Sequence, residues 1–390
     1  MGRFSNRARN SLRARPDRLP ARGDVGAPAR AMTPPATRRR FAWRRSLFVV
    51  LCVVVVAIAA SQFTSVEALG ADLSNADPAW VAVAVLLHGA FFVLYGGLYA
   101  AGFRAVGVSS GALRLVPVMF ASIFAKTAVP FTAAPAAAVF IDDAMARGQS
   151  GPRTAVGVVV TLAVDLLTAL PFVLAGTVAL VMRDRLVAFG LLGTAVFVVF
   201  IGGVLATLIL AARMPGLLER LLAACGALVN RAVTLVGRPA PVPDGWARDT
   251  TKTLAAAVTS IPGHPRDIAI ASGYGLLLHL ANLAGLGALF LAFGQGLDLA
   301  ALAAGFGMSI VFFIIAIVPD GVGAVEGAMA LVFVQLGMPA TAAILVTLAY
   351  RILNVWLPVA IGFWCARRLR LFGATERVRE TLPAVEPESL

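Results

Sequence analysis

Charge is what this sequence has least of: 14% of its 390 residues are charged, against about 25% in a soluble globular domain. A surface built for water is therefore excluded over most of the chain. Cysteine is nearly absent, with Cys52, Cys225 and Cys365 alone. Three thiols without ligand spacing make neither a disulfide framework nor a zinc site, and all three read as packing residues. Lysine occurs only at 126 and 252. Nucleotide loops are missing as well: Gly321, Gly323 and Gly327 lack the dinucleotide spacing and follow no strand, and no ATP-binding motif is present. No cofactor and no metal are expected, and any pumping must draw on a gradient or a partner.

What the chain has in abundance is apolar length. Hydrophobic residues make up 59% of it, and crossing a hydrocarbon core of about 30 Å takes about 20 of them in a helix. Long stretches lie at about 46–63, 79–101, 154–182, 187–212, 268–293 and 341–366. Each must be helical, because a backbone in lipid has to satisfy its own hydrogen bonds. Two further apolar regions are broken: about 112–140, by Pro117, Pro130 and Pro135, and about 299–337, by Gly305, Gly307, Pro319, Gly321 and Gly323. The expected fold is an all-α polytopic membrane protein with about six full spans and two broken or re-entrant helical hairpins.

The net charge of +13 is concentrated at one end. Thirteen arginines and only Asp17 and Asp24 precede Ser46, so residues 1–42 are expected to form a disordered basic tail. Two readings of it stand: adhesion to anionic lipid of the inner leaflet, or a topogenic extension with Met32 as the true start. Nucleic acid is not an expected partner. Arg44-Arg45-Ser46-Leu47-Phe48 with Ala57-Ile58-Ala59 imitates an export signal, but the further spans behind it favour an uncleaved first helix.

Basic residues also orient the spans, since they collect on the cytoplasmic side. If both broken regions re-enter, only Arg183 and Arg185 lie outside, while Lys126 and Arg351 fall within the membrane. A single crossing of each would move the groups at 147–153 and 213–266 outside. Re-entry is the better reading, although a full pair of crossings has the same parity. Both termini are then cytoplasmic and the protein sits in the inner (plasma) membrane. The domain spans 43–372, followed by a cytoplasmic tail at 373–390. The connection at 213–266 is cytoplasmic, with an amphipathic helix over about 217–233 that the prolines at 239, 241 and 243 end.

An internal repeat is visible. Val129-Pro130 precedes Val160-Thr161-Leu162-Ala163-Val164-Asp165 and Leu170-Pro171; Val318-Pro319 precedes Val346-Thr347-Leu348-Ala349-Tyr350-Arg351 and Leu357-Pro358. With the charge-based topology, the units at about 79–182 and 268–366 form an inverted repeat, an arrangement in which one half rocks against the other around a central site. Asp165 and Arg351 stand at equivalent depths, where a lone charge costs about 2.5–3.5 kcal/mol on insertion scales. They are expected to pair or to share one polar network in a wet cleft between the halves. A pairing that only fixes helix packing is the plainer alternative.

The run Pro319-Asp320-Gly321-Val322-Gly323-Ala324-Val325-Glu326-Gly327, with Tyr350-Arg351 and Trp356-Leu357-Pro358, resembles the lysylphosphatidylglycerol synthase transmembrane, or flippase-like, family of bacterial membrane proteins. The resemblance covers about 46–370. Asp320 replaces the usual first glycine of that loop. Pro130-Phe131-Thr132-Ala133-Ala134-Pro135 stands where many members carry a Gly-acid and Arg pattern, so headgroup contacts of that loop are not carried over. Asp165 suits the family's acidic residue in the following helix. The resemblance implies a lipid flippase module; with the chain ending 24 residues beyond Ala366, a fused aminoacyl-transferase domain is not expected.

The local chemistry points the same way. Gly321 and Gly323 permit positive φ, and a helix beginning near Ala324 offers free N–H groups that attract a phosphate; a plain helix-breaking loop weighs equally. Glu326 in its first turn is placed to cap that helix or to balance Arg351. Lys126 is either a phosphate contact or a side chain snorkelling to the cytoplasmic face. The candidate substrate-binding residues are Arg351, Asp165, Glu326, Asp320, Gly321, Gly323, Lys126 and Tyr350, with no catalytic residue among them. His88 and His279 read as histidines satisfied by neighbouring helices.

The leading expectation is a transporter that moves an anionic phospholipid or polyprenyl-linked lipid between leaflets. Its coupling stays open between an ion or proton path through Asp165 or Glu326 and none. One alternative is a membrane-embedded glycosyl or phosphoryl transferase, for which Asp142-Asp143 is the best support as a metal-holding pair; a solvated cluster with Arg147 and Arg153 is the plainer reading of that pair. Another is a non-transporting scaffold for a separate lipid synthase.

Overall fold

The computed structural model describes residues 76–128, 134–235, 242–260, 263–315 and 319–368. The basic tail, the first expected span at 46–63, the C-terminal tail, and Val129-Pro130 and Val318 of the repeat lie outside these residues. All regular structure among the described residues is helical. Helix α1 is Pro78–Arg104, α2 Ala112–Ala128, α3 Ala134–Ala146 and α4 Gly151–Met182. Helix α5 is Val187–Arg213, α6 Pro215–Leu235 and α7 Trp246–Ser260. Then follow α8 Pro265–Ala292, α9 Leu299–Ile315, α10 Ala324–Gln335, and α11 Ala340–Arg351, which runs through a π-helical turn at Ile352–Trp356 into α12, Leu357–Arg368.

Five of these helical stretches are long and apolar enough to cross a membrane: Pro78–Arg104, Gly151–Met182, Val187–Arg213, Pro265–Ala292 and Ala340–Arg368. They coincide with five of the expected spans. The chain is an all-α, multi-pass membrane protein. Its helices begin where local chemistry allows: Asp77 Oδ1 accepts from the Ala79 amide at 2.8 Å, with Pro78 in the first turn of α1, and Ser150 Oγ accepts from the Arg153 amide at the start of α4.

The order long, short, short, long occurs twice. The first set has 27, 17, 13 and 32 residues; the second has 28, 17, 12 and 29. The short helices are the two broken regions. At 1.5 Å per residue they reach about 18–26 Å, less than the hydrocarbon thickness of about 30 Å.

The two leading helices, α1 and α8, run antiparallel along their whole lengths. The Asp77 amide donates to the Ala292 carbonyl at 2.8 Å at one end, and Arg104 Nε meets Asp267 Oδ1 at 3.1 Å at the other. Between them glycines allow the backbones to close: a Cβ at Gly97 would stand 2.5 Å from the Tyr274 ring, and one at Gly285 2.5 Å from the His88 ring. The short helices cross over. Helix α2 lies against α12, where Gly362 meets the Phe120 carbonyl, and α9 lies against α4, where Gly176 meets the Ala303 carbonyl. Each short leading limb thus packs on the closing span of the other set. The largest apolar core joins α4, α8, α9, α10 and α11 through Val173, Leu286, Phe290, Phe306, Met329, Phe333 and Val346.

The 213–266 connection carries the expected amphipathic helix. Leu218 and Gly226 of α6 are buried while Leu221, Leu228 and Val229 stay exposed. Asn230 holds the returning chain by a two-way amide pair, donating to the Val242 carbonyl at 3.0 Å and accepting from its N–H at 2.9 Å.

Candidate functional site

The ends of the two broken regions meet. Beyond α9 the chain turns back through Pro319–Gly321 with three residues at positive φ, Asp320 (+54°), Gly321 (+66°) and Gly323 (+84°). Glycine adopts this conformation freely; a non-glycine residue does so at a cost that aspartate bears better than most. The Asp320 side chain is nearly buried, with 5% of its surface exposed. It reaches across to α2: Oδ1 pairs with Lys126 Nζ at 2.5 Å, and Oδ2 lies 2.7 Å from the Thr127 hydroxyl. That hydroxyl also faces the Ile123 carbonyl at 3.0 Å, and its single proton serves the closer carboxylate. Lys126 keeps 36% of its side chain exposed, with Nζ 4.8 Å from the centre of the Phe313 ring.

Arg351 closes the cluster from the last span, with 4% of its side chain exposed. Its Nε donates to Glu326 Oε1 at 2.7 Å, and Nη2 donates to the Asp320 carbonyl at 2.6 Å. Glu326 does two jobs at once. Besides holding Arg351, it accepts the Gly323 N–H on Oε2 at 2.7 Å, satisfying one of the free donors at the start of α10. The π-helical turn begins at the residue after Arg351, and Asn354 Nδ2 caps the Tyr350 carbonyl at 3.1 Å within it; such turns recur at functional positions.

Six of the eight candidate residues therefore converge: Arg351, Glu326, Asp320, Gly321, Gly323 and Lys126. The two cations and two carboxylates cancel. Thr127 was not singled out from the sequence, where a threonine in an apolar helix carries no signal. Lys126 is held by Asp320. Tyr350 stands edge-on to His88 with ring centres 5.8 Å apart.

Asp165 is not a partner of Arg351, which corrects the expected pairing. Its Oδ1 faces His279 Nε2 at 3.3 Å and its Oδ2 accepts from the Tyr95 hydroxyl at 3.3 Å. Residues at matching places in two antiparallel sets need not coincide; each is served by the helices around it. No hydrogen bond or ion pair between the two clusters is found among the described residues. Arg351 and Asp320 are buried and tie the hairpin ends together, while Lys126 and Glu326 keep part of their surface exposed; an apolar surface trough lies elsewhere, between Val159, Leu162, Phe200, Val204 and Leu254.

The acidic pair on α3 divides. Asp143 is bound by Arg147 of the next turn, while Asp142 is exposed; among the described residues no group of three or more metal-ligating side chains gathers. No curated protein matches the chain. A family model described as the lysylphosphatidylglycerol synthase TM region matches residues 46–362, most of the chain and all of the site just described, and the protein belongs to that family.

Proposed function

We propose that the protein moves a lipid with an anionic headgroup, a phospholipid or a polyprenyl-linked lipid, between the leaflets of the bacterial inner membrane. One observation carries this reading: Lys126 and Arg351, each held by a carboxylate, stand where the two hairpin ends meet among apolar helices. Lone charges there are costly, and a structural ion pair would be served as well by apolar residues. Two cations that a phosphate can take over from carboxylates provide a way station for a headgroup whose acyl chains stay in lipid.

The architecture supports the same reading. Two sets of helices with antiparallel leading helices and crossed-over hairpins are read as an inverted repeat, the plan that lets one half rock against the other. The Arg104–Asp267 pair and the Arg183–Asp298 pair, at 3.1 Å and 3.0 Å, then mark the inner and outer surfaces. The hairpins re-enter from opposite sides and the closed junction is a resting state. The protein is read as a transporter without catalytic residues, with both termini cytoplasmic and a separate lipid synthase as a partner that supplies substrate.

The test is transport in liposomes reconstituted with the full chain and fluorescent phospholipids of anionic and zwitterionic headgroup. Movement of the anionic lipid, lost in Arg351→Ala and reduced in Lys126→Ala, is the expected result. Unchanged movement in Arg351→Ala removes this site from the path.

A further inference from the structure

The hairpin junction leaves a second polar cluster unused. Asp165 of α4, His279 of α8, and Tyr95 and Tyr99 of α1 meet where helices of both sets pack. Asp165 Oδ1 is buried and receives no aligned hydrogen bond: His279 Nε2 is 3.3 Å away but off line, and the same nitrogen lies 3.3 Å from the Asp165 carbonyl. On the other side the Tyr95 hydroxyl reaches Oδ2 at 3.3 Å, and the Tyr99 ring packs on that of Tyr95 with centres 5.4 Å apart. Thr168, next along α4, turns its hydroxyl to the Val164 and Asp165 carbonyls rather than to the carboxylate.

A buried carboxylate oxygen without a donor is an unstable arrangement, because the lost hydration is not replaced. One added proton repairs it. Placed on Oδ1, it turns the bare acceptor into an O–H that donates to His279 Nε2 once the ring carries its own proton on Nδ1. The titratable groups facing the carboxylate are Tyr95 and Tyr99 from α1 and His279 from α8, with Tyr274 of α8 packed against Gly97 one turn beyond. Tyrosine hydroxyls donate but do not supply charge at neutral pH, so the histidine is the partner able to share a proton.

We propose that Asp165 and His279 form a proton-binding site and that its loading couples lipid movement to the proton gradient. The coupling half of this proposal rests on the transport reading above; the binding half does not. Tyr95 and Tyr99 lie one turn apart on α1, leading from Asp165 toward the Arg104–Asp267 end, so their hydroxyls form the proton path from that surface. At each hop one O–H bond breaks as another forms, and a proton taken up on one side leaves unchanged on the other. In the empty site His279 Nε2 bonds the Asp165 carbonyl and leaves Oδ1 bare; in the loaded site the Oδ1–H bonds the ring instead, so the two states hold the α4–α8 contact differently. The occupant of the site therefore biases how the sets pack, as coupling requires.

Two measurements on the full chain decide this. Infrared difference spectra of the protein in lipid, recorded between acidic and neutral pH, are expected to show a protonated-carboxyl band that disappears in Asp165→Asn and shifts in His279→Gln. In proteoliposomes with an imposed pH gradient, lipid movement is expected to rise with the gradient in the wild type and in Asp267→Asn, and to lose that dependence in His279→Gln. A band that survives Asp165→Asn, or gradient dependence that survives His279→Gln, overturns the proposal; should the Asp165 variant fail to fold, the band shift in His279→Gln decides alone. If lipid never moves, with or without a gradient, the transport reading falls while the spectra still judge the proton site.

Discussion

Replacing Glu326 by glutamine separates charge from shape at the hairpin junction. Glutamine keeps an oxygen to accept the Gly323 N–H, now at 2.7 Å from the carboxylate, and keeps the volume. It removes the negative charge 2.7 Å from Arg351 Nε. The guanidinium is then a cation with 4% of its surface exposed and only the Asp320 carbonyl as an acceptor among its described partners. Breaking a buried pair by removing one partner costs about 3–5 kcal/mol. Glu326 itself is one-fifth exposed, so water recovers part of this and the lower end, about 3 kcal/mol, is expected. Removing both charges in Glu326→Gln with Arg351→Met should return most of that loss, since a neutral pair of similar volume no longer strands a buried cation. Reversible unfolding in mixed micelles, run on wild type, both single variants and the double variant, gives the coupling directly. A Glu326→Gln protein as stable as the wild type, or a double variant no better than the single, would refute the reasoning. The stabilised double variant should still fail to move lipid.

Two further outcomes follow from backbone geometry. Asp320→Ala and Asp320→Gly lose the same tie to Lys126 and Thr127, but alanine must hold the left-handed φ of +54°; the glycine variant is expected to be more stable by about 1 kcal/mol, and equal unfolding of the two would show that the turn relaxes. On α1, Gly97→Leu drives a side chain into the Tyr274 ring and should cost about 1–3 kcal/mol by overpacking, whereas Gly89→Ala, whose Cβ meets nothing within 4 Å, should leave the unfolding midpoint in place.

Depth in the membrane is legible from composition, and rotation is not. The spans at 79–101, 154–182, 187–212, 268–293 and 341–366 match the long helices to within a few residues, because the length of an apolar run is set by the bilayer and the ends by charges and caps. The broken regions were legible for a related reason: proline and glycine stop a helix wherever the neighbours do not force it onward. Glu326 was legible down to its two roles, since a carboxylate three residues after a turn glycine has few other things to do. Asp165 stands inside a long apolar helix, as read from the sequence, but with another partner. Hydropathy says that a charge must face protein, not which helix it faces, and α4 turns Asp165 toward His279 of α8. Thr127 shows the same limit from the other side, because its importance comes wholly from Asp320, a residue far along the chain that folding brings to it.

The two clusters divide the work by their charge sums. At the hairpin junction two cations and two carboxylates cancel, so the closed state is stable without a ligand, and a phosphate that enters must displace carboxylates rather than fill a vacancy. Displacing Asp320 from Lys126 unties α2 from the turn before α10, and displacing Glu326 from Arg351 unties α10 from the last span. On the transport reading, a headgroup that takes over the two cations therefore opens the junction. The Asp165–His279 cluster lies on the α4–α8 contact. On the two proposals made above, the hairpin junction and the Asp165–His279 contact bear on the same equilibrium, so a change at either is felt at the other.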